Sequence, residues 1–383
     1  MACDNSADNR GIRLLSDLNN AFRRDNRIDE YDFIAVLEPK NNRSPLVLVD
    51  HKLGLELWSV KILYQYAYNV LLGWRNREPQ GKFIEPLGLV HLTRAVLLIN
   101  PECYTVWNIR KELIESGFIT LIEDLKLGAL ILTKYPKSPE TFGHRKWLLR
   151  KYLDSYLNSS NGSNSSTNSV HDGFVNVDAI DLNVEVLAGN QQAPVENGYV
   201  VLPTSSFQDE LRNEFCVCQK AADKYSCNYN AWSHRTWVVQ HCYNCSLQVC
   251  LAELKTSEQW VQKHISDHSG FHYRQFLFTC LGSGPNREKY KLQVKQLLRK
   301  ELHLVCDLIA NYPGHEALWY HRKYVFQTLH QSCDRSPSAK ADTMETGAEE
   351  ETQVGGHGLK NQKKSRLEDD QQLLVLKELD AVQ

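Results

Sequence analysis

The sequence is short of two things that would point to particular partners, namely surplus charge and long apolar runs. Its 383 residues carry 44 lysines and arginines against 46 aspartates and glutamates, a formal net charge of −2. This balance gives no basic surplus for nucleic acid or for an anionic membrane surface. No apolar run approaches the roughly 20 residues of a membrane-spanning helix. We therefore predict that the chain neither binds nucleic acid nor spans a membrane.

The sequence also lacks the short motifs of several enzyme classes. It has no Gly-rich phosphate-binding loop, no nucleophile elbow and no zincin motif. Eleven cysteines are present, but the polar, charged first residues are unlike a secretory signal. We therefore expect free thiols in a reducing compartment, the cytoplasm.

A cysteine-rich stretch is the nearest thing to a metal motif. Cys242 and Cys245 are followed by Cys250, and Cys216 and Cys218 come earlier. A structural zinc site needs four ligands that converge. Cys216 and Cys218 lie two positions apart on a predicted helix, and at this spacing their thiols point in different directions. We predict no metal in this chain and interpret these cysteines as small buried side chains.

One motif is present five times: an aromatic residue followed three positions later by arginine. The arginines are 35, 90, 39 and 48 residues apart, and such recurrence is typical of a protein built from stacked units. We predict that both residues are core, with each arginine paired to a carbonyl or carboxylate of a neighbouring helix, because an unpaired buried charge is costly. The five pairs are Trp107 and Arg110, Phe142 and Arg145, Trp232 and Arg235, Phe271 and Arg274, and Trp319 and Arg322.

The residues around each motif indicate a pair of helices. Four positions before three of the aromatics stand Ser138, Asn228 and Asp267, which are preferred N-cap residues. A second apolar segment precedes each motif, and prolines mark three of the turns between them. We predict an all-α fold, a right-handed α-α superhelix of five or more helix hairpins. The preceding helices are predicted at residues 87–100, 118–134, 207–224, 247–263 and 287–311.

Histidine precedes the arginine in three of the motifs, at His144, His234 and His321. Equivalent positions in separate units lie about one repeat apart, too far for the three side chains to act together. We therefore predict that they pack or form hydrogen bonds and do not make a catalytic centre.

The array is predicted at residues 85–330, after a helical lead-in at 1–84. In the lead-in we predict two helices, at 12–22 and 53–74, and two short extended segments, at 33–37 and 46–49.

Three further segments are expected to lie outside the array. Serine and asparagine dominate part of residues 155–205, which we predict to be a disordered insertion that accounts for the interval of 90. We also predict a disordered tail at 333–366, and residues 367–383 could form a short amphipathic helix.

Two of the motif segments resemble a known repeat. Residues 100–110 read Asn-Pro-Glu-Cys-Tyr-Thr-Val-Trp-Asn-Ile-Arg, and residues 227–235 read Cys-Asn-Tyr-Asn-Ala-Trp-Ser-His-Arg. Both are similar to the Pro-Lys-Asn-Tyr-x-x-Trp-x-x-Arg repeat of protein prenyltransferase alpha subunits, and the arrangement resembles the family's divergent repeat-containing branch. The resemblance implies a crescent of paired helices that wraps a beta subunit, an α/α barrel carrying zinc and most of the isoprenoid pocket.

The resemblance also implies roles for particular residues. Lys137, one residue before the predicted cap of the second repeat, corresponds to a lysine that contacts the isoprenoid diphosphate. Tyr104, Asn228 and Tyr229 would line the seam with the beta subunit. The family's lysine in the third repeat is replaced here by Cys227.

As a function, the resemblance implies the alpha-type subunit of a heterodimeric protein prenyltransferase, inactive alone. The run Pro-Lys-Ser at 136–138 favours a beta subunit of the Rab geranylgeranyltransferase type, and geranylgeranyl over farnesyl diphosphate as co-substrate. The acceptor would be a cysteine of a substrate protein, with zinc in the partner and no cofactor in this chain. The alternative is a non-enzymatic α-solenoid adaptor that kept the scaffold and lost prenylation.

Overall fold

The computed structural model describes residues 2–38, 44–76, 84–161, 195–196, 199–200, 206–283 and 287–331. The chain divides into two units, Met1–Asp334 and Arg335–Gln383, and all described residues belong to the first. The first unit is a helical-repeat solenoid, so the predicted all-α class is confirmed.

Five helix pairs make up the array. Each pair has a first helix, a short turn and a second helix that carries the motif. The second helices pack side by side along the array, and the first helices α3, α5 and α7 form a neighbouring layer. The pairs are α3 (Pro86–Ile99) with α4 (Tyr104–Glu115), α5 (Leu121–Lys134) with α6 (Pro139–Asn161), α7 (Ser206–Lys224) with α8 (Tyr229–His241), α9 (Leu247–Lys263) with α10 (His268–Ser283), and α11 (Arg287–Asn311) with α12 (Glu316–Gln331).

Three of the second helices begin at the residues that the sequence predicts. The Ser138 hydroxyl accepts from the Thr141 amide at 3.2 Å, and the Asn228 side chain accepts from the Ala231 amide at 3.2 Å. Asp267 does the same for the fourth pair. Each cap satisfies an amide that has no partner within its own helix, so the chain turns into the second helix at a defined residue.

The lead-in contains a sheet between its two helices, α1 (Ala2–Arg24) and α2 (Leu57–Arg75). Strand β3 (Lys52–Glu56) lies in the middle, parallel to β1 (Glu30–Ile34) and antiparallel to β2 (Leu46–Val49). A two-residue turn at Asp50 and His51 joins β2 to β3, and both residues have positive φ, at 47° and 64°. This is the backbone geometry that two-residue hairpins favour.

The prediction of a helix from residue 53 is therefore wrong for its first turn. Leu53 and Leu55 are buried and alternate with Gly54, which is the period of a strand. A Cβ on Gly54 would lie 2.5 Å from Ile34 Cδ1, so a larger residue there would force the Ile34 side chain to move. The first helix is also longer than the predicted 12–22.

The lead-in sheet is bonded to the C-terminal ends of α3, α5 and α7, the first helices of the first three pairs. The Tyr31 hydroxyl donates to the Leu98 carbonyl at the end of α3 over 2.8 Å. Lys134 at the end of α5 pairs with Asp32, and Lys224 at the end of α7 pairs with Glu30 at 2.7 Å. The sheet thus lies along the edge of the array where the turns into the second helices begin.

Two apolar clusters form the core of the described residues, and α5 belongs to both. Leu127, Leu130 and Ile131 pack towards the lead-in and the first pair, whereas Leu125 and Leu132 pack towards the later pairs. A helix with two buried faces links the clusters into one continuous array.

Helix α6 continues to Asn161, a few residues past the predicted start of the insertion at about residue 155. Within it, β4 (Val195–Glu196) pairs antiparallel with β5 (Tyr199–Val200). The rest of the predicted insertion, the predicted tail at 333–366 and the predicted helix at 367–383 lie outside the described residues.

Candidate functional site

The motif arginines of the first four pairs form the joints between successive pairs. Each guanidinium is buried and binds a carboxylate on the first helix of the next pair. It also donates to a backbone carbonyl 20 residues earlier, on the first helix of its own pair. The joints are Arg110 with Asp124 and the Val90 carbonyl, Arg145 with Glu214 and the Leu125 carbonyl, Arg235 with Glu253 and the Phe215 carbonyl, and Arg274 with Glu301 and the Leu254 carbonyl.

Each joint carboxylate also accepts a hydrogen bond from the second helix of its own pair. Glu214 on α7, for example, binds Arg145 on α6 and the His234 ring on α8, the latter at 2.9 Å. One carboxylate thus ties three helices together. The equivalent bonds run from His144 to Asp124 at 2.5 Å, from Tyr273 to Glu253 at 2.5 Å and from His321 to Glu301 at 2.7 Å.

These bonds confirm that the motif histidines serve hydrogen bonding. Burial lowers the pKa of His144 and of His234, and the neighbouring carboxylate offsets this only in part, so both rings are neutral. Each Nε2 faces a carboxylate, and each Nδ1 lacks a partner among the described residues. The network therefore assigns the proton to Nε2, which leaves an acceptor and not a donor unsatisfied.

Three of the joint carboxylates stay charged in spite of their burial. Burial alone would raise their pKa, but the adjacent arginine and histidine outweigh it and lower the pKa of Asp124, Glu214 and Glu301 to about 2. Each of these three joints is therefore an ion pair whose carboxylate is also hydrogen-bonded, which is the condition under which a buried charge is tolerated.

The fifth motif departs from the prediction of core packing. Trp319 is 48 % exposed, whereas the four earlier motif aromatics are buried. Its indole still donates to the Pro313 carbonyl at 3.0 Å, as that of Trp107 does to the Pro101 carbonyl at 2.7 Å. Arg322 lies 6.0 Å from the Trp319 ring and has no carboxylate partner among the described residues. In the earlier pairs the acid comes from the first helix of the next pair, and α12 is the last helix that the structure describes.

Sequence reasoning missed the four acids, although a signal for them exists. Asp124, Glu214, Glu253 and Glu301 each lie 21 residues before the next motif arginine. The spacing is constant because the end of the first helix, the turn and the start of the second helix form a unit of fixed length. All the variation in repeat length falls between an arginine and the following acid.

The predicted seam residues divide between surface and interior. Tyr104 and Tyr229 are the first residues of α4 and α8 and are 59 % and 73 % exposed. Asn228 is fully buried, and its side-chain amide donates to the Pro136 carbonyl at 2.7 Å and to the Ala221 carbonyl at 3.0 Å. Because these bonds and its cap use the whole side chain, Asn228 joins two repeats within this chain. Its place at the seam with a beta subunit stays a prediction.

Lys137 lies at the surface, in the turn before α6. Its ammonium is 4.2 Å from the centre of the Tyr225 ring. Its backbone carbonyl accepts a hydrogen bond from the side-chain amide of Asn230 at 2.7 Å. A shallow cavity of about 290 Å³ lies beside it, lined also by Glu102, Lys134 and Tyr135. Lys134 is engaged with Asp32 of the lead-in sheet, so Lys137 is the lysine of this cavity without a carboxylate partner among the described residues.

A larger groove of about 650 Å³ lies along the second helices α8, α10 and α12. It is open to solvent and has a mixed aromatic and polar lining, with Tyr229 at one end. Side chains that can donate or accept hydrogen bonds are spread along it, including Ser233, His268, His272, Tyr320 and Lys323. This groove, the Tyr104 and Tyr229 rings and the Lys137 cavity all involve the second helices or the turns that lead into them.

The part of the chain that the structure describes contains neither a candidate metal site nor a candidate membrane-spanning helix. No group of three or more histidine, cysteine or acidic side chains converges there so as to hold a metal ion. No described helix combines the length and the apolar character needed to cross a bilayer.

The fold and its joints define a class of protein, a helical-repeat scaffold with one arginine–carboxylate joint per repeat. A family model described as "Protein prenyltransferase alpha subunit repeat" matches residues 211–242, 250–281 and 298–329. These segments cover the pairs α7/α8, α9/α10 and α11/α12. The two earlier pairs carry the same joints, so the repeat geometry begins before the matched residues.

Curated proteins extend the similarity over most of the chain. A human protein named "Protein prenyltransferase alpha subunit repeat-containing protein 1" is 38 % identical over 83 % of this chain and 77 % of its own length. A Danio rerio protein of the same name is 38 % identical over 83 % of this chain and 72 % of its own length. The Rattus norvegicus "Geranylgeranyl transferase type-2 subunit alpha" is 23 % identical over 69 % of this chain and 37 % of its own length. The chain belongs to the family of protein prenyltransferase alpha subunit repeat-containing proteins.

Proposed function

We propose that this chain is the alpha-type subunit of a heterodimeric protein prenyltransferase that transfers a geranylgeranyl group to a cysteine of a substrate protein. Family membership supports an alpha-type role, and the similarity to the rat type-2 geranylgeranyl transferase alpha subunit supports the choice of isoprenoid. The zinc would belong to the beta subunit, for which a Rab geranylgeranyltransferase type is the leading candidate. We place the pair in the cytoplasm because the described cysteines are free thiols.

The observation that carries the proposal is the position of Lys137. It lies directly before the N-terminus of α6, where the helix dipole and exposed amides favour an anion. Its ammonium borders a cavity and has no described carboxylate partner. When the isoprenoid breaks from its diphosphate, the leaving group gains negative charge, and a lysine aimed at it stabilises that charge more than the ground state.

The partner surface in this proposal is the side of the array formed by the second helices. Exposed tyrosines at the start of α4 and α8 offer large amphipathic contacts, a residue type enriched where proteins bind. The groove along α8, α10 and α12 would receive side chains of the beta subunit. An obligate pair of this kind buries roughly 2,000 Å² or more.

One observation favours the alternative of a non-enzymatic adaptor. The third repeat has Cys227 at the position of the family's second lysine. Its backbone amide donates to Asp267 at 2.7 Å, so this turn is built to hold the next repeat and presents no cation. The adaptor would use the same second-helix surface for a partner without catalysing transfer.

The proposal is tested by purifying the full chain from cell extract and assaying what co-elutes. We expect a prenyltransferase beta subunit, and transfer of labelled geranylgeranyl diphosphate in preference to labelled farnesyl diphosphate onto added protein substrate. Lys137→Ala should leave the complex intact and lower kcat by about 10-fold or more. Lys220→Ala, an exposed lysine on α7 away from the cavity, is the matched control and should match the parent.

Three outcomes would count against the proposal. A complex with a beta subunit that transfers no lipid would support the adaptor. Parental kcat in the Lys137→Ala complex would remove the lysine from the chemistry. Absence of any beta subunit from the purified material would overturn the alpha-type role altogether.

A further inference from the structure

Three cysteines meet where the turn between α8 and α9 lies against α10. The Cys280 Sγ on α10 and the Cys245 Sγ in the turn lie 3.0 Å apart, within hydrogen-bond distance. Cys250, near the start of α9, is hydrogen-bonded to Cys280 and fully buried. Cys245 and Cys280 are only partly buried, so this pair is the one that a reagent in solution reaches.

The turn fixes the Cys245 side chain in this position. Asn244 and Cys245 both have left-handed backbone conformations, with φ of 46° and 51°. Such angles are uncommon outside glycine, and they are held here by the Cys245 amide, which donates to the Val239 carbonyl at 3.0 Å. The thiol is therefore held towards α10 by the backbone itself.

A sulfur–sulfur distance of 3.0 Å is about 1 Å longer than a disulfide bond. We propose that Cys245 and Cys280 form an intramolecular disulfide when the chain meets a small-molecule disulfide such as oxidised glutathione, and that this bond fastens the α8–α9 turn to α10. The site is distinct from the Lys137 cavity and does not depend on the proposed transferase role.

The reaction is a double thiol–disulfide exchange. One cysteine thiolate attacks a sulfur of oxidised glutathione, forms a mixed disulfide and releases one glutathione thiolate. The second cysteine then attacks the protein sulfur of that mixed disulfide and releases the other. Two protein thiols are oxidised, one oxidised glutathione is reduced to two molecules of glutathione, and the two thiol protons end on these.

The surroundings predict that the exchange is slow at neutral pH. The bond with Cys245 lowers the pKa of the Cys280 thiol, but the bond with Cys250 and burial outweigh it and raise that pKa to about 12. The bond with Cys280, followed by burial, raises the pKa of Cys245. Because the thiolate is the nucleophile, the rate of disulfide formation should rise with pH.

The new bond would close a loop of 35 residues between adjacent repeats. Cross-linking residues at that separation restricts the unfolded chain. We expect the oxidised chain to unfold several degrees higher than the reduced chain. Amide exchange in α9, which lies within the loop, should slow on oxidation.

The experiment uses the reduced full chain in buffers of increasing oxidised-to-reduced glutathione ratio. Samples are quenched in acid, alkylated and mapped by mass spectrometry, and Tm is measured in parallel. We expect a cross-linked pair of peptides containing Cys245 and Cys280. Exposed Cys227 is the internal control, since its mixed disulfide with glutathione proves that the oxidant is active.

Variants keep the result interpretable. Cys245→Ser and Cys280→Ser should each lose the cross-link and the rise in Tm, whereas Cys306→Ser, on α11, should keep both. The proposal is overturned if Cys227 is glutathionylated while Cys245 and Cys280 stay reduced. It is equally overturned if the cross-link joins Cys250 to Cys280, or if it forms without raising Tm.

Discussion

The joint between the fourth and fifth pairs offers the sharpest test of how the array is held together. Arg274 is 2 % exposed. Its Nε donates to Glu301 at 2.7 Å, and its Nη1 donates to the Ser257 hydroxyl at 2.8 Å and to the Leu254 carbonyl. Replacing it in Arg274→Leu removes all of these bonds while keeping an apolar side chain in the space.

The loss should be large because the substitution leaves a charge behind. Glu301 would remain buried with only His321 as a close partner. Removing one member of a buried ion pair costs about 3–5 kcal/mol, a large part of the roughly 5–15 kcal/mol that holds a domain folded. The equivalent change at the last motif, Arg322→Leu, leaves no carboxylate unpaired among the residues that the structure describes and should cost at most about 1 kcal/mol.

The free energy of unfolding is measured by urea titration followed by circular dichroism, with amide exchange in α11 and α12 as a local readout. The double variant Arg274→Leu/Glu301→Leu should recover part of the loss, since it leaves no unpaired charge. The reasoning is refuted if Arg274→Leu stays within about 1 kcal/mol of the parent, or if Arg322→Leu is as damaging as Arg274→Leu.

Three further predictions concern pH, backbone space and partner binding. The pKa is lowered for His144 and His234 and for Asp124, Glu214 and Glu301, so these groups contribute stability at neutral pH that is lost as pH falls, first below about 6.5 for the two histidines and then below about 4.5 for the three acids. Urea midpoints measured from pH 8 to 4 should therefore fall, and less steeply for His234→Asn between pH 7 and 5. Gly128→Ala would place a Cβ 3.0 Å from the Arg145 guanidinium and should lower the free energy of unfolding, measured by urea titration, by about 1–3 kcal/mol. The control is Gly143→Ala on α6, where a Cβ would meet no atom within 4 Å, and this change should leave the free energy of unfolding equal or higher. Tyr229→Ala should weaken capture of the partner by 10-fold or more in a binding assay without changing Tm; a fall in Tm of several degrees would mean that the ring serves the fold.

Much of the array could be predicted because its signals are local. A cap such as Ser138, a proline at the first helical position and an aromatic one turn later fix where a second helix begins, whatever the rest of the chain does. The arginines, too, could be assigned partners in general terms, since a buried guanidinium must be neutralised.

The parts that escaped prediction depend on contacts between distant residues. Glu214 reads as one acid among many on an amphipathic helix until the fixed spacing to Arg235 is noticed. The strand at Lys52–Glu56 overlaps the predicted helix at 53–74, and its pairing with β1 involves residues about 20 positions away, which a local pattern does not show. The cap role of Asn228 is visible in the sequence, whereas its bond to the Pro136 carbonyl, 92 residues away, is not.

The last described motif shows why repeat position matters as well as repeat sequence. Trp319 and Arg322 are the same residue pair as in the first and third motifs, yet this tryptophan is about half exposed. Burial of a motif residue is supplied by the following repeat, so the last described copy differs from the others even with the same residues.

Native mass spectrometry of the full chain purified from cell extract tests directly whether the chain is an alpha-type subunit. We expect a one-to-one complex with a zinc-bearing α/α-barrel beta subunit, which dissociates when Tyr104 and Tyr229 on the second helices are both changed to alanine. A chain that runs alone, or only with partners unrelated to prenyltransferases, would contradict the alpha-type role.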